Sequence, residues 1–394
     1  MARIHADAER TGDATDAPQA LSEVDGLPRP CPCPIPGSCS FPPHPRTSAL
    51  SAAPSVRAVS VPAALFLFPA LPGILSLTMR GHNSRHVLCV ALTPAVQELY
   101  ECPHLALGEV VRLPRPLVSA AGKGVNVARM TATLGSAVVL TGFIGGATGR
   151  FIEQSLRADG VRCRLTRVAP PSRVCRTLKN LVTGEVTELV EEGACPTAAQ
   201  WRAFFRIYQT LLPKARLVVI AGTLMPGAPA NVYQQLTRAA QAARVPVLID
   251  SHRDPLRQTL AHRPLIAKAN VAELEKTFGK PLRSETAILK TARKLIAAGA
   301  QWVVVTHGAK GAWLIGKNEA WHYPAPQLKA VNPIGSGDAV SAGIAHALGL
   351  GRELPEAVRF GLACGAANVL TKAAGTIRVS DVRRLLVAVR CRRV

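Results

Sequence analysis

The segment Asn332-Pro333-Ile334-Gly335-Ser336-Gly337-Asp338-Ala339 sets three small residues directly before a carboxylate and an apolar helical run. Small side chains at Gly335, Ser336 and Gly337 let the backbone approach a ligand, and the helix that begins there has free N–H groups. Such a terminus attracts phosphate oxygens, helped by the positive end of the helix dipole. Asp338 falls in the first turn. As an isolated feature, an aspartate there is a favourable helix-terminal charge. Beside an anion cradle, however, a carboxylate is a poor phosphate ligand, and its placement fits the removal of a proton. Phosphoryl transfer needs both parts: amides to hold the transferring group and a carboxylate to take the acceptor hydroxyl proton.

A second constellation lies far upstream, at Ala121-Gly122-Lys123-Gly124-Val125-Asn126-Val127-Ala128-Arg129. Gly122 and Gly124 again permit close backbone approach. Asn126 can donate to and accept from a sugar hydroxyl. Two familiar phosphate loops are excluded: no G-x-x-x-x-G-K-[ST] occurs, and no G-x-G-x-x-G follows the first apolar strand.

These residues need a scaffold. Short apolar runs at Val87–Ala91, Val138–Leu140, Leu217–Ile220, Val245–Ile249 and Trp302–Val305 read as buried strands. Helical patterns at 124–134, 148–157, 229–243, 271–278 and 284–298 alternate with them. Two more, at about 337–349 and 354–371, follow. The alternation predicts an α/β fold, doubly wound, with a mostly parallel sheet covered by helices on both faces. Ligands of such sheets bind beyond the carboxyl ends of the strands.

Of the chain's 394 residues, 1–78 read as an extension: thirteen of 31 prolines fall in the first 80 positions. The apolar run 63–77 is too short to span a bilayer and is interrupted by Pro69 and Pro72. Met79 is the expected initiator. Lys+Arg 47 against Asp+Glu 25 gives +22, and the excess falls in residues 81–394. A basic body attracts nucleic acid, membrane surfaces or phosphorylated small molecules. At 4% aromatic residues, a base-stacking surface is disfavoured, and neither nucleic acid nor membrane is expected as a partner. The ten cysteines do not form a disulfide framework, and Cys31, Cys33 and Cys39 lack a fourth ligand at zinc-like spacing. A reducing, cytoplasmic location is expected. The end, 389–394, reads as a solvated basic tail.

The two glycine-rich segments, in this order, resemble the PfkB sugar kinases, whose fold is ribokinase-like. Ala121-Gly122-Lys123-Gly124-Val125-Asn126-Val127-Ala128 matches that family's G-G-K-G-x-N-x-A, and 332–343 matches its late G-x-G-D signature. Gly108–Arg112 resembles the start of the family's lid, and Gly145–Gly149 its G-G-x-x-G turn. Lys268-Ala269-Asn270-Val271-Ala272-Glu273 resembles K-P-N-x-x-E, and Thr306-His307-Gly308-Ala309-Lys310-Gly311-Ala312 resembles S-x-G-x-x-G-A. The resemblance covers about residues 86–388 and implies a kinase domain over 79–388, with a small β lid from strands at about 97–120 and 173–190.

Within the family the chain is most similar to the phosphosugar branch, which contains tagatose-6-phosphate kinase and 1-phosphofructokinase. Its T-x-N-P-A-[hydrophobic]-D is answered by Leu92-Thr93-Pro94-Ala95-Val96-Gln97, with Gln97 in the place of an aspartate that binds sugar hydroxyls. Thr93, Ala121, Ala269 and Cys175 are further departures. Arg112, Lys123 and Arg173 are the candidate cations for an existing sugar phosphate. The resemblance implies ATP and a phosphosugar as small-molecule partners, Asp338 as general base and the 335–337 amides as anion hole. It also implies Mg2+ held through water near Asn270 and Glu273, a nucleotide site using Lys268, Thr306, Gly308 and Gly311, and a homodimer through the lid. Lys268 and Glu273 fit an ordinary surface pair equally well. Two rival readings stay open: a kinase of an unphosphorylated sugar or nucleoside on the same fold, and a catalytically weakened basic binding protein.

Overall fold

The computed structural model describes residues 85–394 except His104 and Leu107. The extension expected over residues 1–78, with Cys31, Cys33, Cys39 and the apolar run, lies outside the described residues.

The chain opens with β1 (His86–Ala91), β2 (Ala95–Cys102), β3 (Leu117–Ala121) and α1 (Lys123–Thr133). Next come β4 (Val138–Gly145), α2 (Gly146–Ala158), β5 (Arg162–Val168), β6 (Arg173–Asn180), β7 (Val186–Val190) and α3 (Ala198–Leu211). The middle holds β8 (Ala215–Ala221), α4 (Val232–Ala242), β9 (Val247–Asp250), α5 (Arg253–Thr259), β10 (Ile266–Asn270), α6 (Val271–Phe278) and α7 (Glu285–Ala297). It closes with β11 (Trp302–Thr306), β12 (Ala312–Ile315), β13 (Ala320–Tyr323), α8 (Ser336–Gly349), α9 (Leu354–Val369), α10 (Val379–Leu386) and β14 (Arg392–Arg393).

Ten strands form one sheet in the order β14-β13-β12-β11-β10-β9-β8-β1-β4-β5. From β11 to β5 every pairing is parallel, and β12, β13 and β14 add antiparallel. The central strands are continuous apolar runs because both faces are covered. In β1, Val87, Cys89 and Ala91 enter one core while Leu88 and Val90 enter the other, as the two-residue period requires. One core is closed by α1, α2, α8, α9 and α10, and the other by α3 to α7. No helix among the described residues is long and apolar enough to cross a membrane.

Helix α8 is buried nearly all round, because α1 and α9 flank it. Its contact with α9 depends on small residues: a Cβ on Gly343 would fall 2.6 Å from Gly361 Cα. That packing fixes the first turn of α8, and Asp338 with it.

A separate four-stranded sheet, β3-β2-β6-β7, stands beside the main one. Gln97 lies in register with Ser119 and Cys175, and Leu99 with Leu117 and Thr177. These side chains therefore share one face. The described residues between β2 and β3 hold no helix or strand.

The five strands expected from apolar runs are present. β5, β10, β12 and β13, and helices α3, α5 and α10, were not expected. β12 and β13 are four residues each, too short to show a period. Helix α3 did carry a signal: Thr197 and Gln200 form a reciprocal capping box. Of the residues read as a solvated tail, Val389 is buried in the core, and 390–394 are exposed but pinned, since β14 pairs with β13 and Val394 N–H donates to Ala320 O at 3.0 Å.

Candidate active site

β1 lies where the strand order reverses: the chain proceeds outward to β4 and β5, then returns to β8 on the other side. A crevice at the carboxyl ends of β1 and β8 is the expected ligand position of such a sheet. The two glycine-rich segments converge there, at the amino ends of α1 and α8.

Gly335 caps α8 in the left-handed region (φ 83°), and a Cβ there would lie 2.6 Å from Gly375 N. Only glycine fits. Ser336 N–H is turned back to Pro333 O at 3.2 Å, so it is not free to serve the anion hole as the sequence reading expected. Among the described residues, the Gly335 and Gly337 N–H groups have no hydrogen-bond partner. Asn332 braces the turn, its Oδ1 accepting from Ile334 N–H at 3.0 Å.

Asp338 is 6% exposed. Burial and the nearby Asp250 charge push its carboxyl up from 3.8 to about 6, while Lys123, Lys268 and a bond from Asn126 pull the other way. The Asn126 Nδ2 group donates to Asp338 Oδ2 at 2.8 Å. Asn126, read from the sequence as a sugar ligand, is 5% exposed, and its Oδ1 is buried with no partner among the described residues.

Beneath the turn lies a charged cluster. Lys123 Nζ donates to Asp250 Oδ1 at 3.2 Å and to Glu273 Oε1 at 2.7 Å. Lys268 Nζ and Ser341 Oγ donate to Asp250 Oδ2 at 2.7 and 2.8 Å. Burial would raise the Asp250 carboxyl, but Lys123 and Lys268 outweigh it and hold the group far below the usual carboxylate range. Burial would lower the Lys123 ammonium, and here the surrounding carboxylates win and raise it.

These contacts correct two expectations. Lys123, offered as a cation for a sugar phosphate, already has two carboxylate partners. Lys268 and Glu273 are not a surface pair: Lys268 is 2% exposed and bonded to Asp250. Glu273 instead completes a capping box, its Oε2 accepting from Asn270 N–H while Asn270 Oδ1 accepts from Glu273 N–H, each at 2.8 Å. Asp250 and Ser341 escaped the sequence reading as site residues. Asp250 did leave a trace, as the acid that ends the apolar strand Val247-Leu248-Ile249 at its carboxyl end.

A cleft of about 870 Å³ opens on one side of the α8 turn. Asn270, Thr306, Gly308, Gly311, Ser336 and Gly337 all line it. At Gly311 (φ 94°) a Cβ would meet Tyr323 O at 2.0 Å, so the strand turn can pass only as glycine. On the other side, Gln97, Ser119 and Thr177 of the four-stranded sheet face Asn332, Ile334, Ala373 and Ala374 across a narrow gap. Gln97 Nε2 donates to Thr177 Oγ1 at 2.7 Å. Arg173 donates to Thr93 O and Glu191 O, and Arg112 is exposed in the β2–β3 connection. Gly122 (φ 108°) and Gly124 lie against the end of β1, where a Cβ would be 3.2 Å from Thr93 O and 2.3 Å from Val90 O. The two glycines thus serve chain packing at this crossing. The arrangement is a buried carboxylate beside an amide cradle, with a large cleft on one hand and a polar sheet face on the other.

The profile of the pfkB family carbohydrate kinases matches residues 85–380. Phosphofructokinase-2 from Escherichia coli, in complex with substrates and products, is 26% identical, with a TM-score of 0.72 over 77% of this chain and 99% of that one. A possible 1-phosphofructokinase from Thermotoga maritima is 23% identical, with a TM-score of 0.73 over 79% and 100%. Arabidopsis thaliana ribokinase, complexed with ribose and ATP, has 23% identity and a TM-score of 0.64 over 77% and 99%. The last two show the same ribokinase-like fold.

Proposed function

The chain belongs to the pfkB family of carbohydrate kinases and is an ATP-dependent carbohydrate kinase, and we propose that its acceptor is a ketohexose phosphate of the tagatose 6-phosphate or fructose 1-phosphate type. One observation carries the mechanism: a buried carboxylate, Asp338, stands in the first turn of α8 beside two unpartnered amides.

ATP occupies the 870 Å³ cleft, with Gly308 and Gly311 on the adenine side and its terminal phosphate at the α8 turn. The sugar lies between that turn and the face carrying Gln97, Ser119 and Thr177. Asp338 takes the acceptor hydroxyl proton. The bond from the acceptor oxygen to the γ-phosphorus forms as the bond from that phosphorus to the β–γ bridging oxygen breaks, and ADP leaves with that oxygen. The Gly335 and Gly337 N–H groups meet the charge on the group in transit; removing one such donor typically costs about 10²–10³ in rate. A pKa of about 6 suits this base, since it is ionised near neutrality yet more basic than a solvated aspartate.

Arg112 and Arg173 are the cations left for the phosphate that the sugar already carries, now that Lys123 is engaged. Mg2+ with the nucleotide supplies charge neutralisation on the phosphates. Among the described residues no cluster of His, Cys, Asp or Glu side chains is arranged to hold a metal directly. Asn270 on the cleft wall and Glu273 beside it offer oxygens to the water that Mg2+ keeps in such sites. The four-stranded sheet acts as a lid that excludes water. Its exposed Leu117, Val118, Leu189 and Val190 support pairing between two copies. A monomer by light scattering would remove the dimer. The enzyme works in the cytoplasm.

Coupled ADP release on tagatose 6-phosphate, fructose 1-phosphate and fructose 6-phosphate, against fructose, ribose and nucleosides, tests the reading. Turnover on a phosphosugar at least tenfold above any unphosphorylated acceptor is expected. Preference for a free sugar or nucleoside would overturn it. A salt-dependent gel shift without turnover would favour the binding-protein alternative.

A further inference from the structure

Asn368 stands one residue before the end of α9 and is fully buried. Its Nδ2 donates to Ile334 O at 2.9 Å, in the turn that opens α8, and among the described residues no other group donates to that carbonyl. The rest of the turn is tied down by other means. Val369 O accepts from Val331 N–H at 2.9 Å and from Asn332 N–H at 3.1 Å, and Asn332 Nδ2 donates to Lys372 O at 2.8 Å. The other end of the Asn368 amide does nothing for the fold. Its Oδ1 is buried with no partner among the described residues, and a Cβ on Gly335 would lie 3.4 Å from it. An orphaned carbonyl oxygen is costly, and asparagine is a weak helix former. The one bond this side chain makes is therefore its use.

A peptide unit is planar and trans, so its C=O and N–H point in opposite directions. Ile334 C=O and Gly335 N–H belong to the same unit. With the carbonyl held against α9, the N–H is turned away from α9, and it has no hydrogen-bond partner among the described residues. Ile334 faces the gap under the four-stranded sheet, while Ser336 and Gly337 line the large cleft. Gly335 lies between the two. We infer that Asn368 is a positioning residue for phosphoryl transfer: by pinning Ile334 O it aims the Gly335 N–H at the group in transit. This rests on the reading of the α8 turn as an anion hole. A flip of this peptide unit changes ψ of Ile334 and φ of Gly335, and glycine accepts either sign of φ. Without the pin the donor can turn away while the side chains around the nucleotide and the sugar stay in place.

The experiment compares the wild type, Asn368→Leu and Asn368→Ser by initial rates, and by calorimetry of ADP binding with and without aluminium fluoride, a mimic of the phosphoryl group in transit. Leucine has nearly the shape of asparagine and no donor. Serine is smaller and fits the same space, and its hydroxyl ends one bond short of the Nδ2 position. A misplaced group costs up to about 10²-fold in rate and a lost donor about 10²–10³. In both variants kcat should therefore fall by about 10- to 10²-fold, with KM for ATP and for the sugar little changed. Aluminium fluoride should tighten ADP binding by about tenfold or more in the wild type and by much less in the variants. An unchanged kcat with an undiminished aluminium fluoride gain would make Asn368 a structural filler and overturn the inference, as would a raised KM with kcat intact. If the wild type itself gains nothing from aluminium fluoride, the anion-hole reading fails and takes the inference with it, whatever the variants do.

Discussion

Asp338→Asn should be more stable than the wild type at neutral pH while losing its turnover. The folded protein holds this carboxyl at about 6 against an ordinary 3.8, because it is buried and faces Asp250. A shift of roughly two units, at 1.36 kcal/mol per unit, corresponds to a destabilisation on the order of 3 kcal/mol once the group is charged. The direction follows from proton counting. Between the unfolded and folded values the native state binds more protons than the unfolded chain, so stability falls as pH rises through that window and stays low above it. Asparagine carries no such penalty, and its amide oxygen can still accept from Asn126 Nδ2. Urea unfolding at pH 8 should therefore give the variant an advantage of about 2–3 kcal/mol, and at pH 4 the two proteins should nearly coincide. Turnover by ADP release at pH 8 should drop at least 10³-fold, at the upper end of what proton transfer contributes. A stability gap equal at both pH values would refute the buried-carboxylate argument, and undiminished turnover would refute the catalytic one.

Asp250→Asn leaves Lys268, 2% exposed, beside a neutral partner, and should cost about 3–5 kcal/mol in urea unfolding. Most of that loss should return in the double variant with Lys268→Met, because the uncompensated charge is then gone. Gly335→Ala forces a side chain into a left-handed site 2.6 Å from Gly375 N, and kcat should fall by about 10²-fold or more through displacement of the amides. Gln97→Asp restores a charged acceptor on the sugar-facing strip, so the sugar KM should fall by about fivefold with the ATP KM unchanged, both read from initial rates. A rise in sugar KM instead would mean that the strip is built around a neutral amide.

The parallel core was legible because burial on both faces turns strands such as β1 and β8 into continuous apolar runs. The first-turn position of Asp338 was legible because a glycine-flanked helix start is a local pattern. The cluster under the site was not. Asp250 and Lys268 are brought together by sheet register, as neighbours across β9 and β10, and Lys123 reaches the same carboxylate from 127 residues away. A charged residue in an apolar strand gives no sign of its partner until the order of the strands is known. For the same reason the contact of Asn126 with Asp338, made by the packing of α1 on α8, was not legible.

Thr93 marks where the four-stranded sheet joins the rest of the molecule. Its carbonyl oxygen accepts from Arg173 Nε at 3.3 Å, a Cβ on Gly122 would lie 3.2 Å from that same oxygen, and one on Gly193 would lie 3.5 Å from its methyl. The chain passes between the two sheets at each of these places. The crossings between the two sheets are thus gathered around one residue, so the placement of the whole smaller sheet relative to the α8 turn depends on the backbone at Thr93. Bulk added at that crossing would displace the smaller sheet from the α8 turn while leaving Asp338 and the amides where they are.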